Sequence, residues 1–230
     1  IFNEKKNIRN LVNEIKNYLS SSEFDFEIIL VNDASTDDSL KEISLLSSEN
    51  PNIVKVLNNN LNIGQSFSII KGVKSSKYNT IVTLDGDGQN NPKDISLLVK
   101  KYFTDDELYL VGGVRLKRKD TLIKIISSKI ANNIRNFFLK DDCVDTGCSL
   151  KVFDKKVFLM FPEFKGLHRF LPALFKGYQK KTFFIEVDHR KRIYGQSNYG
   201  TLKRLLSGII DIIRVKIITN KIKWVIILTI

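Results

Sequence analysis

Two rhythms of apolar and polar positions take turns along the chain. From Ile8, apolar side chains recur at Ile8, Leu11, Val12, Ile15 and Leu19, the three-and-four spacing that predicts an amphipathic helix. A short unbroken run follows, Ile28-Ile29-Leu30-Val31, closed by Asn32-Asp33. Runs this short, rich in branched side chains and polar at the exit, predict strands buried on both faces. Helical spacing returns with Leu40, Ile43 and Leu46, then a strand is expected near 53–57, a helix from about Gly64 to Val73, and a strand at 81–84. A further helix starts behind Pro92 and carries Ile95, Leu98 and Val99. A strand over 108–114 and a long helix with Leu122, Ile126, Ile130 and Ile134 complete the first two-thirds. This alternation predicts an α/β fold, a mostly parallel sheet with helices on both faces. Such sheets bind ligands beyond the carboxyl ends of their strands. That rule singles out Asn32-Asp33, Asp85-Gly86-Asp87-Gly88-Gln89 and Arg115.

The last thirty residues read differently, which divides the chain into a main domain over 1–200 and a C-terminal segment over 201–230. Leu202, Leu205, Leu206, Ile209, Ile210, Ile213 and Ile217 form a broad apolar stripe with Lys203, Arg204, Arg214 and Lys216 among them. This is the pattern of an interfacial membrane helix, and equally of a helix buried in a core. Beyond it, Lys221, Lys223 and Trp224 precede an uncharged run, as membrane spans often begin on their cytoplasmic side. The run within this sequence is far shorter than the ~20 residues a span needs.

Composition narrows the field. Of 230 residues, 43% are apolar and 27% charged, with 12 Gly and 4 Pro, which excludes a disordered or collagen-like chain. Two cysteines, Cys143 and Cys148, are too few for a disulfide scaffold and lack the spacing of a zinc cluster. The net charge of +12 points to an anionic partner: nucleic acid, a membrane surface or a phosphorylated small molecule. The chain opens Ile1-Phe2-Asn3-Glu4 with no signal-peptide pattern, and its only methionine is Met160, so it reads as a fragment.

Candidate chemistry concentrates in carboxylates. Asp85 and Asp87, two residues apart at a strand end, are placed to share one hard divalent cation, and the glycine between them admits a bulky ligand to the backbone. The alternative is a surface Asp-Gly turn. A calcium loop of the EF-hand kind fails, because the required Gly falls on Asn90 and the required Glu on Ser96. Asp33 sits where a carboxylate accepts from a base or ribose, while Ser35 or Thr36 would cap the next helix. Neither a dinucleotide fingerprint nor a Walker loop is present.

Taken together, Phe2-Asn3-Glu4, Val31-Asn32-Asp33-Ala34-Ser35-Thr36-Asp37, Asn62-Ile63-Gly64 and Asp85-Gly86-Asp87-Gly88-Gln89-Asn90-Asn91-Pro92 resemble, in order and spacing, the inverting family-two glycosyltransferases of GT-A fold. Val111 to Arg115, Asp145-Thr146-Gly147-Cys148, His168 to Pro172 and His189 to Gly200 narrow the resemblance to the polyprenyl-phosphate branch, of the dolichyl-phosphate mannosyltransferase kind. The resemblance covers nearly all of 1–215. It implies a Rossmann-like sheet whose first strand would precede Ile1, and hexosyl transfer from a UDP- or GDP-linked sugar to a polyprenyl phosphate in cell-envelope glycan synthesis, at the cytoplasmic membrane face. It also implies roles: Phe2, Glu4, Val31 and Asp33 at the base and ribose; Asp85, Gly86 and Asp87 at the donor diphosphate; Asp85, Asp87 and Gln89 on Mg²⁺ or Mn²⁺; Arg192 and Asn198 toward the donor. Asn198 stands where the family usually has a lysine, which removes one positive charge.

The chemistry agrees. Expelling a nucleoside diphosphate builds negative charge that a divalent metal neutralises without proton transfer, and oxygen ligands suit Mg²⁺ or Mn²⁺. A lipid phosphate acceptor is already ionised, so no base is needed, and His168 and His189 read as structural. Arg115, followed by Lys117 and Arg118, is either a solvated basic turn or a cradle for the acceptor phosphate, with Ser127 or Ser128 adding a hydroxyl. Asp85, Asp87 and Arg115 are therefore the expected catalytic set. Two rivals remain: transfer to a lipid or polysaccharide hydroxyl, with Asp145 as base rather than a cap, and a basic nucleic-acid-binding module. The phenylalanines lie mostly in apolar surroundings, which disfavours the latter. Sequence is silent on oligomeric state.

Overall fold

The computed structural model describes residues 1–115, 132–194 and 208–220. Helix α1 (Lys5–Leu19) packs Ile8 and Val12 against strand β1 (Ile28–Asp33), helix α2 (Ser39–Glu49) and strand β2 (Val54–Asn59). Ile8, Val12, Ile43 and Leu46 are fully covered there. Each such side chain contributes about 1.5–3 kcal/mol on burial. Helix α3 (Gln65–Ser75) and strand β3 (Thr80–Thr83) follow, then α4 (Lys93–Phe103) and β4 (Leu108–Arg115). All eight elements match those read from the apolar spacing.

The sheet is mostly parallel, as expected, with one short strand reversed. β1 and β2 pair in parallel, as do β4 and a strand β6 (Lys181–Val187), but a short β5 (Lys151–Asp154) lies antiparallel between β3 and β4. The order is β3-β5-β4-β6, beside the separate β1-β2 pair. Ile1 pairs with β1 in parallel fashion: its nitrogen donates to the Val31 carbonyl oxygen (2.8 Å), and its own carbonyl oxygen accepts from Asp33 N–H (2.8 Å).

The second half of the chain builds the larger core. A helix α5 over 132–139 precedes β5, and α6 (Lys155–Phe158) and α7 (Leu171–Gly177) flank a phenylalanine cluster. Phe153 stacks on Phe158 at 5.0 Å between ring centres, and Phe161 meets Phe175 edge-on at 5.0 Å. A helix α8 over 208–220 covers this core with Val215, and its Asp211 carboxylate accepts from Arg169 at 2.7 Å. Leu202, Leu205 and Leu206 lie outside the described residues. The C-terminal stripe is divided on α8. Val215 is buried, whereas Ile209, Ile210, Ile213 and Ile217 face outward. No described helix is long and apolar enough to cross a membrane.

Candidate functional site

The loops after β1 and β3 and the segment before α1 converge on one hollow. Asn3 joins the first of them: its N–H donates to Ser35 Oγ (3.0 Å) and its Oδ1 accepts from Thr36 N–H (2.8 Å). Neither Ser35 nor Thr36 caps α2, which begins at Ser39 beneath Asp37 Oδ1 (2.9 Å). The two motifs hold each other instead.

Asp33 is committed in the same way. It is buried, and its oxygens accept from Ile63 N–H (2.9 Å), Gly64 N–H (2.9 Å) and Asn59 Nδ2 (3.0 Å). The Asn62-Ile63-Gly64 turn is thereby fixed, and Gly64, at φ +87°, takes a conformation that favours glycine. α3 starts at the next residue. Its first side chain, Gln65, donates from Nε2 to Asp85 Oδ1 (2.8 Å). Sequence reading missed Gln65; its adjacency to the Asn-Ile-Gly turn at a helix start was the available signal.

Asp85 and Asp87 are not turned apart. The Asp85 backbone N–H donates to Ser149 Oγ (3.1 Å), and Asp87 Oδ1 accepts from Gln89 N–H (3.0 Å). Burial, and then the neighbouring Asp87 carboxylate, push the Asp85 carboxyl above its ordinary range. Asp87 Oδ2 meets Arg192 Nη2 at 2.6 Å, and Arg192 Nη1 lies 3.5 Å from Glu4 Oε1. Burial likewise raises the Glu4 carboxyl. Arg192 is brought here by a bridge between Asn90 and His189 and by Arg190 N–H donating to the Gln89 carbonyl (2.8 Å).

Phe2, Glu4, Val31, Asp33, Asp85, Gly86, Asp87 and Arg192 all line one cavity of about 1300 Å³, whose apolar remainder runs between β1 and β3. Gln89 does not line it: its amide nitrogen donates to the Arg190 carbonyl (3.3 Å), so the expected third metal ligand serves the loop instead. Arg115 is also elsewhere. Its Nε and Nη2 grip Asp145 Oδ2 (2.7 Å) and Oδ1 (2.8 Å), so the two-pronged face expected for a phosphate is engaged by a carboxylate. The Asp145 carboxylate also accepts from the Arg115 backbone N–H (3.2 Å), so it holds the loop after β4. His168 Nδ1 lies 2.7 Å from the buried Ser66 Oγ, a packing role. Arg118, Ser127, Ser128 and Asn198 lie outside the described residues.

A divalent cation fits the donor set. Each carboxylate has one oxygen tied to a fixed donor, Gln65 or the Gln89 N–H, and the other Asp87 oxygen already carries a positive group. Among the described residues no set of three or more His, Cys, Asp or Glu is gathered for a metal. Two carboxylates with the balance from phosphate and water is how Mg²⁺ is usually held.

The model of the family described as glycosyl transferase family 2 matches residues 1–161. The chain belongs to that family. It is 32% identical over 218 residues to dodecaprenyl-phosphate galacturonate synthase of Rhizobium johnstonii, covering 94% of this chain and 64% of that protein. It is 30% identical over 204 residues to undecaprenyl-phosphate 4-deoxy-4-formamido-L-arabinose transferase of Proteus mirabilis, covering 88% of this chain and 62% of that one. The chain thus spans less than two-thirds of either relative. Glucosyl-3-phosphoglycerate synthase of Mycobacterium tuberculosis, solved with Mn²⁺, uridine diphosphate and glucosyl-3-phosphoglycerate, superposes with a TM-score of 0.70 at 13% identity, over 95% of this chain and 77% of that chain. The fold of this family 2 chain is therefore GT-A-like, a mostly parallel sheet with β5 reversed.

Proposed function

We propose that this chain carries the donor site of a metal-dependent inverting glycosyltransferase that moves one sugar from a nucleotide sugar to a polyprenyl phosphate. The observation that carries the reading is the convergence of Asp85, Asp87, Glu4 and Arg192 on a single cavity at strand ends. The two named relatives act on polyprenyl phosphates, which supports the acceptor class. The metal-bound neighbour supports the cofactor.

Asp85 and Asp87 would hold Mg²⁺ or Mn²⁺, which when bound supplies positive charge to the leaving diphosphate. Gln65 and the Gln89 N–H fix the two carboxylates, so their order costs nothing at the moment of reaction. Phe2, Glu4 and Val31 would wall the nucleoside, and Asp33 acts through the turn it pins. Arg192 would stand against the donor phosphates, with Asn198 nearby in sequence. Arg118, Ser127 and Ser128 would meet the acceptor phosphate, and Arg115 would join them only by exchanging Asp145 for it. That phosphate attacks without a general base because it is already ionised.

We place the protein at a membrane, on the cytoplasmic face that the resemblance implies, and a surface built on two helices supports the membrane part of that reading. α5 exposes Ile134, Phe137 (77% exposed) and Phe138, while α8 exposes Ile209, Ile210, Ile213 and Ile217. Lys216 of α8 donates to the Phe138 carbonyl (2.9 Å), which joins the two faces. Arg214, Lys216 and Lys140 are exposed beside them, the charge an anionic bilayer attracts. Vesicles containing phosphatidylglycerol are expected to sediment the protein. Phe137→Glu with Ile213→Glu should lower that binding about tenfold or more, each lost apolar contact being worth about 1 kcal/mol or more. Equal sedimentation of wild type and double variant would remove the surface from the membrane reading.

The test of the function is direct. Incubation with a panel of nucleotide sugars, Mn²⁺ and a short polyprenyl phosphate should yield a glycolipid detectable by mass spectrometry. No product with any donor would overturn it.

A further inference from the structure

The Asp87 carboxylate already holds a cation of the protein's own. We propose that Arg192 competes with the divalent metal for Asp87, so that metal and donor diphosphate bind by a coupled exchange in which Arg192 passes from the carboxylate to the diphosphate. The inference rests on the donor-site reading above and adds to it the event that links the two ligands.

Three observations carry it. Arg192 Nη2 lies 2.6 Å from Asp87 Oδ2, and Asp87 Oδ1 is tied to the Gln89 N–H, so a metal on Asp87 must contest the oxygen that Arg192 holds. Glu4, 3.5 Å from the same guanidinium, makes it the counter-charge of two largely covered carboxylates. The chain before Arg192 is anchored: His189 bridges to Asn90, and Arg190 donates to Glu14 (2.7 Å) and Asn91 (2.7 Å). A change of partner therefore needs the Arg192 side chain to swing, not the segment to move.

The charge balance gives the exchange its direction. A metal arriving alone must evict the guanidinium and leave it beside Glu4 without the Asp87 partner. A metal arriving with a diphosphate brings the guanidinium a new anion, and arginine grips phosphate oxygens through two parallel N–H groups. Each ligand then raises affinity for the other by the same factor.

Mn²⁺ binding to the full chain, followed by the electron paramagnetic resonance of free Mn²⁺ with and without UDP or GDP, tests this without turnover. Arg192→Gln is expected to bind Mn²⁺ alone about 5- to 20-fold more tightly than wild type, the range of ordinary coupling energies. The tightening of Mn²⁺ by nucleotide should shrink in that variant by a similar factor. Arg192→Lys keeps the charge and should stay within about threefold of wild type. Lys5→Gln removes an exposed charge next to Glu4 in sequence that pairs with Asp38 and should change Mn²⁺ affinity less than about threefold. Mn²⁺ affinity unchanged or weakened in a folded Arg192→Gln protein would overturn the exchange, as would an equal gain in Lys5→Gln. Mn²⁺ binding by wild type that disappears in Asp87→Asn upholds the donor-site reading on its own, whatever Arg192 does. Failure of every protein to bind Mn²⁺ would overturn both.

Discussion

Asp85→Asn is expected to melt higher than wild type at neutral pH while losing transfer by about 100-fold or more, the scale of losing one charge-stabilising group. The stability half follows from the position of the carboxyl, which burial and then Asp87 hold above its ordinary range. A group raised in this way keeps its proton longer in the folded chain than in the unfolded one. Its favourable contribution is therefore complete below the ordinary carboxylate range and is lost as pH climbs through the raised folded value. At neutral pH the ionised side chain is a net cost, and asparagine removes that cost while its amide oxygen still accepts from Gln65. A gain of about 1 kcal/mol corresponds to about 2–4 °C for a chain of this size. The gap should close in scans taken near pH 4, where wild type protonates as well. Saturating Mn²⁺ should raise the melting temperature of wild type and leave the variant where it is. A variant that melts lower than wild type at pH 7 would show that the Asp85 charge is already balanced within the fold.

Why this site was legible is a matter of spacing. Asp85-Gly86-Asp87 and Asn32-Asp33 each follow a run of buried branched residues, so strand ends and carboxylates announce each other. What sequence did not convey is which atoms face which. Asp33 looks like a ligand for ribose, yet its oxygens hold the turn that starts α3. Gln65 looks like any helix residue, yet it sets Asp85. Arg192 reads as a donor contact, and only the folded chain brings it to Asp87 across more than a hundred residues. The fold divides similarly. β1 to β4 and the helices between them follow directly from their periods. β5 is four residues long with Lys151 and Asp154 at its ends, too short and too charged to read, although Lys151, Val152 and Phe153 are all buried. β6 breaks alternation with Phe183-Phe184-Ile185 and, among the described residues, pairs with β4, so its register is set by tertiary contact rather than by pattern.

Asp145→Ala is expected to lower the melting temperature by about 6–12 °C, the equivalent of about 3 kcal/mol, because it takes from a covered guanidinium the carboxylate it grips at two points. The side chains of Arg115 and Asp145 are only 12% and 7% exposed, and two N–H groups and the Arg115 backbone N–H all point at the carboxylate. The pair also dictates its neighbour: a Cβ on Gly147 would stand 2.6 Å from Arg115 Nη2, so the chain there must lack a side chain for the guanidinium to lie flat. Removing both partners, as Arg115→Met with Asp145→Leu, should recover most of the lost stability, since no charge is then left unpaired. That folded double variant isolates the functional question. If Arg115 serves the acceptor phosphate, the KM for polyprenyl phosphate rises in the double variant while Mn²⁺ and nucleotide binding stay as they were. If the variant transfers sugar with unchanged KM, Arg115 belongs to the scaffold alone. Asp145→Asn settles the remaining rival. With an ionised phosphate as nucleophile its turnover should fall less than about tenfold, whereas a loss of about 1000-fold with the fold intact is the mark of a missing general base and would make the acceptor a hydroxyl.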